Sequence, residues 1–305
     1  MTVLVTGATG FAGSHLVRRL ETLGEKRIVG TTLDRPETEL LRRCDVTRPD
    51  DVRRLLAGVK PDRIFHLAAQ AHVGESFRDP AGAIQGHVAG AVNLLQAAAA
   101  LDPAPRVLLV SSAEVYGASG EPLSEASPLD PDSPYAVGKL AGEAYARHLA
   151  RRGLHVVIAR PFNHVGPGQS EAFACSAFAK QIAEAEAGLR APVVEVGNLS
   201  PERDFTDVRD TVRAYPLLLD KGGPGEAFNV ASGKAVPVGA LLEGLVALAR
   251  VKIEIRRDPA RERTGEAPRR VGDAAKLRAL GWTAEIPLER TLRETLESWR
   301  EKIRR

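Results

Sequence analysis

Up to residue 160 the chain alternates short β-rich runs with stretches of helical period, and the first run ends in a glycine-rich turn. The β-rich runs cover residues 2–6, 27–32, 63–67, 106–111 and 155–160. Between them apolar residues recur at helical spacing over 12–23, 49–57, 81–101 and 134–152. Repeated βα units of this kind lay parallel strands side by side, with helices on both faces and right-handed crossovers. The fold class that follows is α/β, a doubly wound parallel sheet of the Rossmann type.

Beyond residue 160 the pattern changes. Pro161, Gly166, Pro167 and Gly168 break it into a loop. Helical stretches then occupy 171–188, 207–220, 236–249 and 287–304, with strands only at 193–196 and 226–231. The expected division is a dinucleotide-binding domain over 1–160, its sheet completed by residues near 193–231, and a smaller C-terminal α/β part over 161–305 that binds substrate.

Three short signals in fixed order point to chemistry. The first is Gly7-Ala8-Thr9-Gly10-Phe11-Ala12-Gly13, directly after Val3-Leu4-Val5. One glycine permits a tight strand-to-helix turn, one lets backbone approach a pyrophosphate, and one lets helix and strand pack closely. The free N–H groups of the helix start then favour negative charge. The second strand runs on through Thr32, Asp34 and Arg35. Thr32 stands where a carboxylate usually selects NAD. Arg35 suits the 2′-phosphate of NADP, which is slightly favoured, and Asp34 suits NAD. Asp45 and Val46 follow a loop and fall beside the adenine. Leu67, Ala68 and Ala69 are small enough to let a cofactor lie on backbone, whereas His66 packs into the sheet.

The second signal is Ser111-Ser112 at the end of a buried strand, and the third is Tyr135 with Lys139. Strand alternation turns only one serine inward. Four residues apart on a helix, Tyr135 and Lys139 share a face. A nearby ammonium and a cationic nicotinamide would lower the phenol, ordinarily near pKa 10, towards neutral pH. Tyr135 is then a general acid or base. Glu114 is either a further acid/base or a partner for substrate hydroxyls. A hydroxyl, a phenol and an ammonium beside a dinucleotide suit hydride transfer at a carbonyl or carbinol carbon.

Composition excludes other classes. Of the 305 residues only Cys44 and Cys175 are cysteines, without metal-ligand spacing, so neither a disulfide framework nor a metal centre is expected. The net charge of +3 is mixed rather than blocked, which argues against a nucleic-acid partner. No apolar run approaches the roughly 20 residues that span a bilayer. With no signal-peptide pattern before the first strand, a soluble cytoplasmic protein without a membrane partner is expected.

The same residues resemble the extended short-chain dehydrogenase/reductases, also described as the NAD-dependent epimerase/dehydratase family. The likeness rests on Thr6-Gly7-x-x-Gly10-x-x-Gly13, His66-Leu67-Ala68-Ala69, Ser111-Ser112-x-Glu114-Val115-Tyr116-Gly117, Tyr135-x-x-x-Lys139 and Arg160-Pro161-Phe162-Asn163. Within that family the chain is most similar to GDP-4-keto-6-deoxy-D-mannose reductases and GDP-mannose 4,6-dehydratases. More specific are the run Arg160 to Gln169, Val196-Gly197-Asn198-Leu199, and Arg203 to Asp210. The resemblance implies a catalytic set of Ser112, Tyr135 and Lys139, with Glu114 as base in a dehydratase. It implies cofactor contacts from Gly7, Gly10, Phe11, Gly13, Ser111 and Phe162. It assigns the nucleotide-diphosphate side of a sugar substrate, GDP-linked, to Asn163, Asn198 and Arg203, and places Arg263 and Glu266 near the nucleotide ribose and Lys180 near the guanine or ribose. Family members commonly pair through two helices per subunit, here 81–101 and 134–152, which implies a homodimer.

Departures refine the picture. Ala113 stands where many sugar-nucleotide dehydratases carry an aspartate, and His87 where the family commonly has asparagine. Thr264 replaces a usual proline after Arg263. The leading reading is reduction of the C4 keto group of GDP-4-keto-6-deoxy-D-mannose by NAD(P)H, giving GDP-D-rhamnose. The alternatives are a GDP-mannose 4,6-dehydratase, another sugar-nucleotide epimerase or reductase, and a non-catalytic NADP sensor.

Overall fold

The computed structural model describes residues 1–34, 38, 40–261 and 267–304. Its strands in the first half are β1 (Thr2–Thr6), β2 (Arg27–Thr32), β3 (Leu41–Arg43), β4 (Arg63–His66), β5 (Arg106–Val110) and β6 (Val156–Pro161). The helices between them are α1 (Phe11–Thr22), α2 (Pro49–Val59), α3 (Val73–Ser76), α4 (Pro80–Ala99) and α5 (Pro134–Ala150). The second half adds β7 (Asn163–Val165), α6 (Ala174–Glu186), β8 (Val193–Val196), β9 (Glu202–Arg203), β10 (Phe205–Asp207), α7 (Val208–Lys221) and β11 (Ala227–Val230). It ends with β12 (Val236–Pro237), α8 (Val238–Val246), β13 (Glu254–Arg257), β14 (Arg269–Arg270), α9 (Ala275–Ala279) and α10 (Leu288–Arg304).

Seven strands form one parallel sheet in the order β11-β6-β5-β4-β1-β2-β3. The doubly wound parallel sheet expected from the sequence is therefore present. Two details differ. Leu41–Arg43 supplies an edge strand that its three residues, two of them arginines, did not announce. Of the two later runs, Ala227–Val230 pairs with β6, but Val193–Val196 pairs with Glu254–Arg257 in a separate two-stranded sheet. A β-branched run declares a strand but not its partner, so the expectation that 193–196 would extend the main sheet is corrected.

Apolar faces divide the molecule into three cores. Val3, Val5, Phe65 and Leu108 pack under α1 and α7 on one side. Leu4, Ile64, Leu109 and Ile158 pack under α2, α4 and α5 on the other. Val165, Phe178, Val194, Leu241, Leu296 and Trp299 form a third core joining α6, α8 and α10 beyond the end of the sheet. Alternate residues of β1, Val3 and Val5 against Leu4, serve opposite faces, as the period of two requires.

The α4–α5 seam positions the chemistry. Each helix has proline at its start and a side-chain cap: the Gly82 N–H donates to Asp79 (3.0 Å), and the Ala136 N–H to Ser133 (3.2 Å). Small residues then bring the helices close. A Cβ at Gly138 would lie 2.7 Å from the Cβ of His87, and one at Gly142 would lie 3.1 Å from that of Ala91.

Candidate active site

Strand order reverses at β1, with β2 on one side and β4 on the other, and ligands of doubly wound sheets sit at the carboxyl ends of strands at such a point. A cleft of about 1010 Å³ opens there. Single small-molecule sites occupy roughly 300–1,000 Å³, so this one has room for two ligands side by side.

The glycine turn forms its floor. Gly7 has φ +70°, and a Cβ on it would stand 3.0 Å from the Ala68 backbone. A Cβ on Gly13 would stand 2.0 Å from the Gly7 carbonyl oxygen, so α1 touches the turn directly. The N-cap of α1, Gly10, offers no side-chain bond to the first turn. Such a bare helix start, beside backbone that no side chain crowds, fits a pyrophosphate.

Sequence reasoning missed the role of Thr6, which holds the reversal point together. Its hydroxyl oxygen accepts the N–H groups of Leu67 and Ala68 at 3.2 Å each and lies 2.8 Å from His66 Nδ1. With both acceptor directions used, its own hydrogen goes to Nδ1, which leaves the His66 proton on Nε2. That hydroxyl presents Leu67, Ala68 and Ala69 to the cleft, which all three line together with Gly10, Phe11, Thr32, Asp34, Asp45 and Val46. Thr32 accepts the N–H of Asp34 (3.1 Å), and Asp45 accepts that of Thr47 (2.9 Å). Phe11 stacks on His164, centroids 5.9 Å apart. Arg35 falls outside the described residues, as do Arg263, Thr264 and Glu266.

Ser112, Tyr135, Lys139 and Glu114 meet on one wall. The Ser112 hydroxyl accepts the Glu114 N–H (3.1 Å) and hydrogen-bonds the Tyr135 phenol. Ser111 also borders the cleft, but its hydroxyl donates to buried Glu143 at 2.6 Å. The pair thus divides as strand alternation predicts. Lys139 donates to the Val110 carbonyl (2.9 Å), and its ammonium lies 5.8 Å from the Tyr135 ring centre. Burial lowers the ammonium to about 8, with Glu143 opposing. Burial raises the phenol to about 12; the Ser112 hydrogen bond works against this and Glu114 adds to it. The expectation that neighbouring charge brings the phenol towards neutrality is corrected for the protein's own residues: desolvation outweighs it, and Tyr135 is held as a proton donor.

Glu114 is not free-standing. Its Oε2 receives Arg270 Nη1 at 2.6 Å, and Arg270 Nη2 bonds Asp132 at 2.9 Å. A second network lies behind Ser111. Arg160, 1% exposed, grips Glu143 with two bonds of 2.9 and 2.6 Å and donates to the Tyr116 hydroxyl at 2.7 Å. Tyr116 donates to Asn229 (2.8 Å) and is fully buried, so it packs. Glu143 was legible in principle: it follows Lys139 by four and Tyr135 by eight, on the same helical face.

Phe162, Asn163, Asn198 and Arg203 also line the cleft. Asn198 accepts from the Ser200 N–H and hydroxyl (3.1 and 2.8 Å), and Arg203 donates to the Glu202 carbonyl (2.8 Å). Lys180 stands apart from these. Its ammonium bonds Glu171 at 3.0 Å and lies 3.6 Å from Glu184, and only Glu171 of the three borders the cleft. Among the described residues no group of three or more His, Cys, Asp or Glu could hold a metal ion, and no helix is long and apolar enough to cross a membrane.

Two buried imidazoles flank the wall. Burial, then Lys139, lowers both His66 and His87 to about 3. An unfolded imidazole, with its ordinary value of 6.5, takes up protons over a window in which the folded ones refuse them. Their stabilising contribution is therefore present above about pH 6.5 and is lost as pH falls towards 3. The melting temperature is expected to drop with acidification below pH 6.5, and His87→Phe to make that drop shallower, in a series of thermal melts.

Known proteins share this arrangement. A family model described as GDP-mannose 4,6 dehydratase matches residues 4–295. GDP-6-deoxy-D-mannose reductase of Pseudomonas aeruginosa is 39% identical over 307 residues, covering 99% of this chain and 98% of the relative. UDP-glucose 4-epimerase of Mycolicibacterium smegmatis is 32% identical, covering 99% of each. The solved structure of RMD from Pseudomonas aeruginosa complexed with NADPH superposes with a TM-score of 0.86 at 37% identity, over 99% of this chain and 100% of that one. The glycine turn, the Ser112–Tyr135–Lys139 wall and a match spanning almost the whole length place the chain in the GDP-mannose 4,6 dehydratase family of extended short-chain dehydrogenase/reductases.

Proposed function

We propose that this protein is a sugar-nucleotide reductase that uses NAD(P)H to reduce the C4 keto group of GDP-4-keto-6-deoxy-D-mannose, yielding GDP-D-rhamnose. The observation that carries this reading is the geometry around Tyr135: a buried phenol facing the cleft beside Ser112, with the Lys139 ammonium 5.8 Å from its ring centre. The reductive direction needs a proton donor at that place. NAD(P)H supplies the hydride. Ser112 orients the carbonyl oxygen, Tyr135 protonates the alkoxide that forms there, and Lys139 stabilises the phenolate left behind. The near-full-length likeness to a GDP-6-deoxy-D-mannose reductase supports the same conclusion.

Residues 1–160 then carry the cofactor and 161–305 the nucleotide sugar. The dinucleotide lies along Gly7, Gly10, Phe11 and Gly13, with Thr32, Arg35, Asp45 and Val46 at its adenosine end. Leu67, Ala68, Ala69, Ser111 and Phe162 lie along its length, and NADP is slightly favoured over NAD. Asn163, Asn198 and Arg203, with Arg263 and Glu266, hold the GDP moiety, and Lys180 reaches it only by leaving its glutamates. The competing dehydratase needs a base at C5. Its candidate, Glu114, is tied to Arg270; Ala113, in place of an aspartate, argues chiefly against a dehydratase of the dTDP-glucose type.

Mixing the protein with the 4-keto sugar nucleotide and NADPH or NADH is expected to consume the nicotinamide absorbance in step with substrate. Conversion of GDP-mannose to a 4-keto product without added cofactor would instead establish the dehydratase, and interconversion of 4-epimers the epimerase. Tight cofactor binding with no turnover would favour the sensor.

A cytoplasmic setting suits the two buried, unbonded cysteines. A homodimer through the outer faces of α4 and α5 is the expected assembly. Ile84, Val88 and Val92 line one helix side only half-buried, and Val137 is 39% exposed. Light scattering should give about twice the chain mass, and Val88→Glu should halve it.

A further inference from the structure

His87 is buried, faces the cleft from α4, and takes no part in the chemistry described above. Its ring meets the Tyr135 ring edge to face, with centroids 4.8 Å apart and planes at 88°. Its Nε2 is buried without a hydrogen-bond partner. One turn beyond Tyr135, the missing side chain of Gly138 makes room for the imidazole, since a Cβ there would be 2.7 Å from His87 Cβ and 3.3 Å from its ring carbons. Burial and the Lys139 ammonium keep the imidazole uncharged. An imidazole seated in the niche that Gly138 leaves open, and T-shaped against Tyr135, is placed to act through its ring.

We propose that His87 is a positioning residue whose aromatic ring, through this T-shaped contact rather than through its nitrogens, fixes the ring of Tyr135 against Ser112. This deepens the reductase reading and rests on it for the catalytic consequence alone. Edge-to-face pairs prefer the geometry seen here and resist rotation of either ring. The phenol must be placed to a fraction of an ångström for proton transfer, and misplacement of about 1 Å can cost on the order of 100-fold. The alternative is a polar task for the nitrogens, such as relaying a proton towards Lys139 through a bound water.

Three variants separate the two. His87→Phe keeps an aromatic ring and discards both nitrogens, His87→Asn keeps a polar side chain and discards the ring, and His87→Ala discards both. The ring role predicts that His87→Phe retains turnover within about threefold while His87→Asn and His87→Ala lose roughly 10- to 100-fold in kcat, with KM for the sugar nucleotide little changed. A structural role alone would lower the melting temperature without that split. An arm free of turnover uses carbon-13-labelled tyrosine, since the chain has only four tyrosines and Tyr135→Phe identifies the signal. The ring signals of Tyr135 should stay in place in His87→Phe and shift or broaden in the other two. Retention by His87→Asn with loss in His87→Phe, or unchanged Tyr135 signals in His87→Ala, overturns the proposal. If the wild-type protein turns over no 4-keto substrate while the tyrosine signals behave as stated, the reductase reading fails and the positioning role stands.

Discussion

Tyr135→Phe is expected to lower single-turnover reduction by roughly 10²- to 10⁴-fold, the usual range for loss of a general acid. Cofactor and sugar-nucleotide binding should be nearly preserved, because the ring and its contact with His87 survive. The size of the effect follows from the environment. Hydride arriving at C4 creates an alkoxide, a stronger base than the phenolate of a group held at about 12, so transfer from Tyr135 runs downhill. Ser112 alone cannot substitute, since its oxygen already accepts the Glu114 N–H and its acidity is lower still. Stopped-flow absorbance with enzyme in excess over substrate measures the step directly. A variant that keeps a tenth of the wild-type rate would move the proton donor elsewhere in the cleft.

The second large effect concerns stability. Arg160→Met is expected to cost about 3–5 kcal/mol, the usual result of removing one partner from a buried ion pair. Glu143 is fully buried and would retain only the Ser111 hydroxyl and Arg147, the latter at 3.0 Å and partly exposed. The Tyr116 hydroxyl would lose its donor as well. Urea denaturation followed by circular dichroism measures the loss. Pairing Arg160→Met with Glu143→Leu should recover part of it, because the uncompensated charge is then gone. Additive costs for the two changes would show that the pair contributes no coupling. Glu143 lies on the same helix as Tyr135 and Lys139, so activity should fall in parallel with stability.

The legible parts of the molecule are those encoded locally. Five of the six strands of the first half announce themselves by short β-rich runs, Leu41–Arg43 being the exception, and the glycine turn by three positions whose spacing serves one backbone path. Tyr135 and Lys139 were visible because a single helix carries both. What spans distant segments was not. Arg270 reaches Glu114 across 156 residues and Arg160 reaches Tyr116 across 44, and nothing in either neighbourhood specifies the other. Thr6 was visible as part of the glycine motif, but its role was not, because its three polar contacts exist only once β1 and β4 are side by side. For the protein's own residues, the ionisation of Tyr135 departs from the sequence reading for a related reason. Spacing reveals a neighbouring ammonium but not the depth of burial, and depth decides the balance here. Val193–Val196 shows the same limit for a strand, whose partner lies some 60 residues further on, at Glu254–Arg257.

The pairing of Ala227–Val230 with β6 bears on how such a protein can be rebuilt. Without that strand, β6 would offer an open apolar margin, Val156-Val157-Ile158-Ala159, to any passing chain. On the proposed division of labour, the half assigned to the sugar therefore also seals the half assigned to the cofactor. Recombination at residue 160, the natural seam in the sequence, would leave both pieces unfinished. New substrate preferences in this scaffold are accessible through substitutions in the loops around the cleft, not through exchange of whole modules.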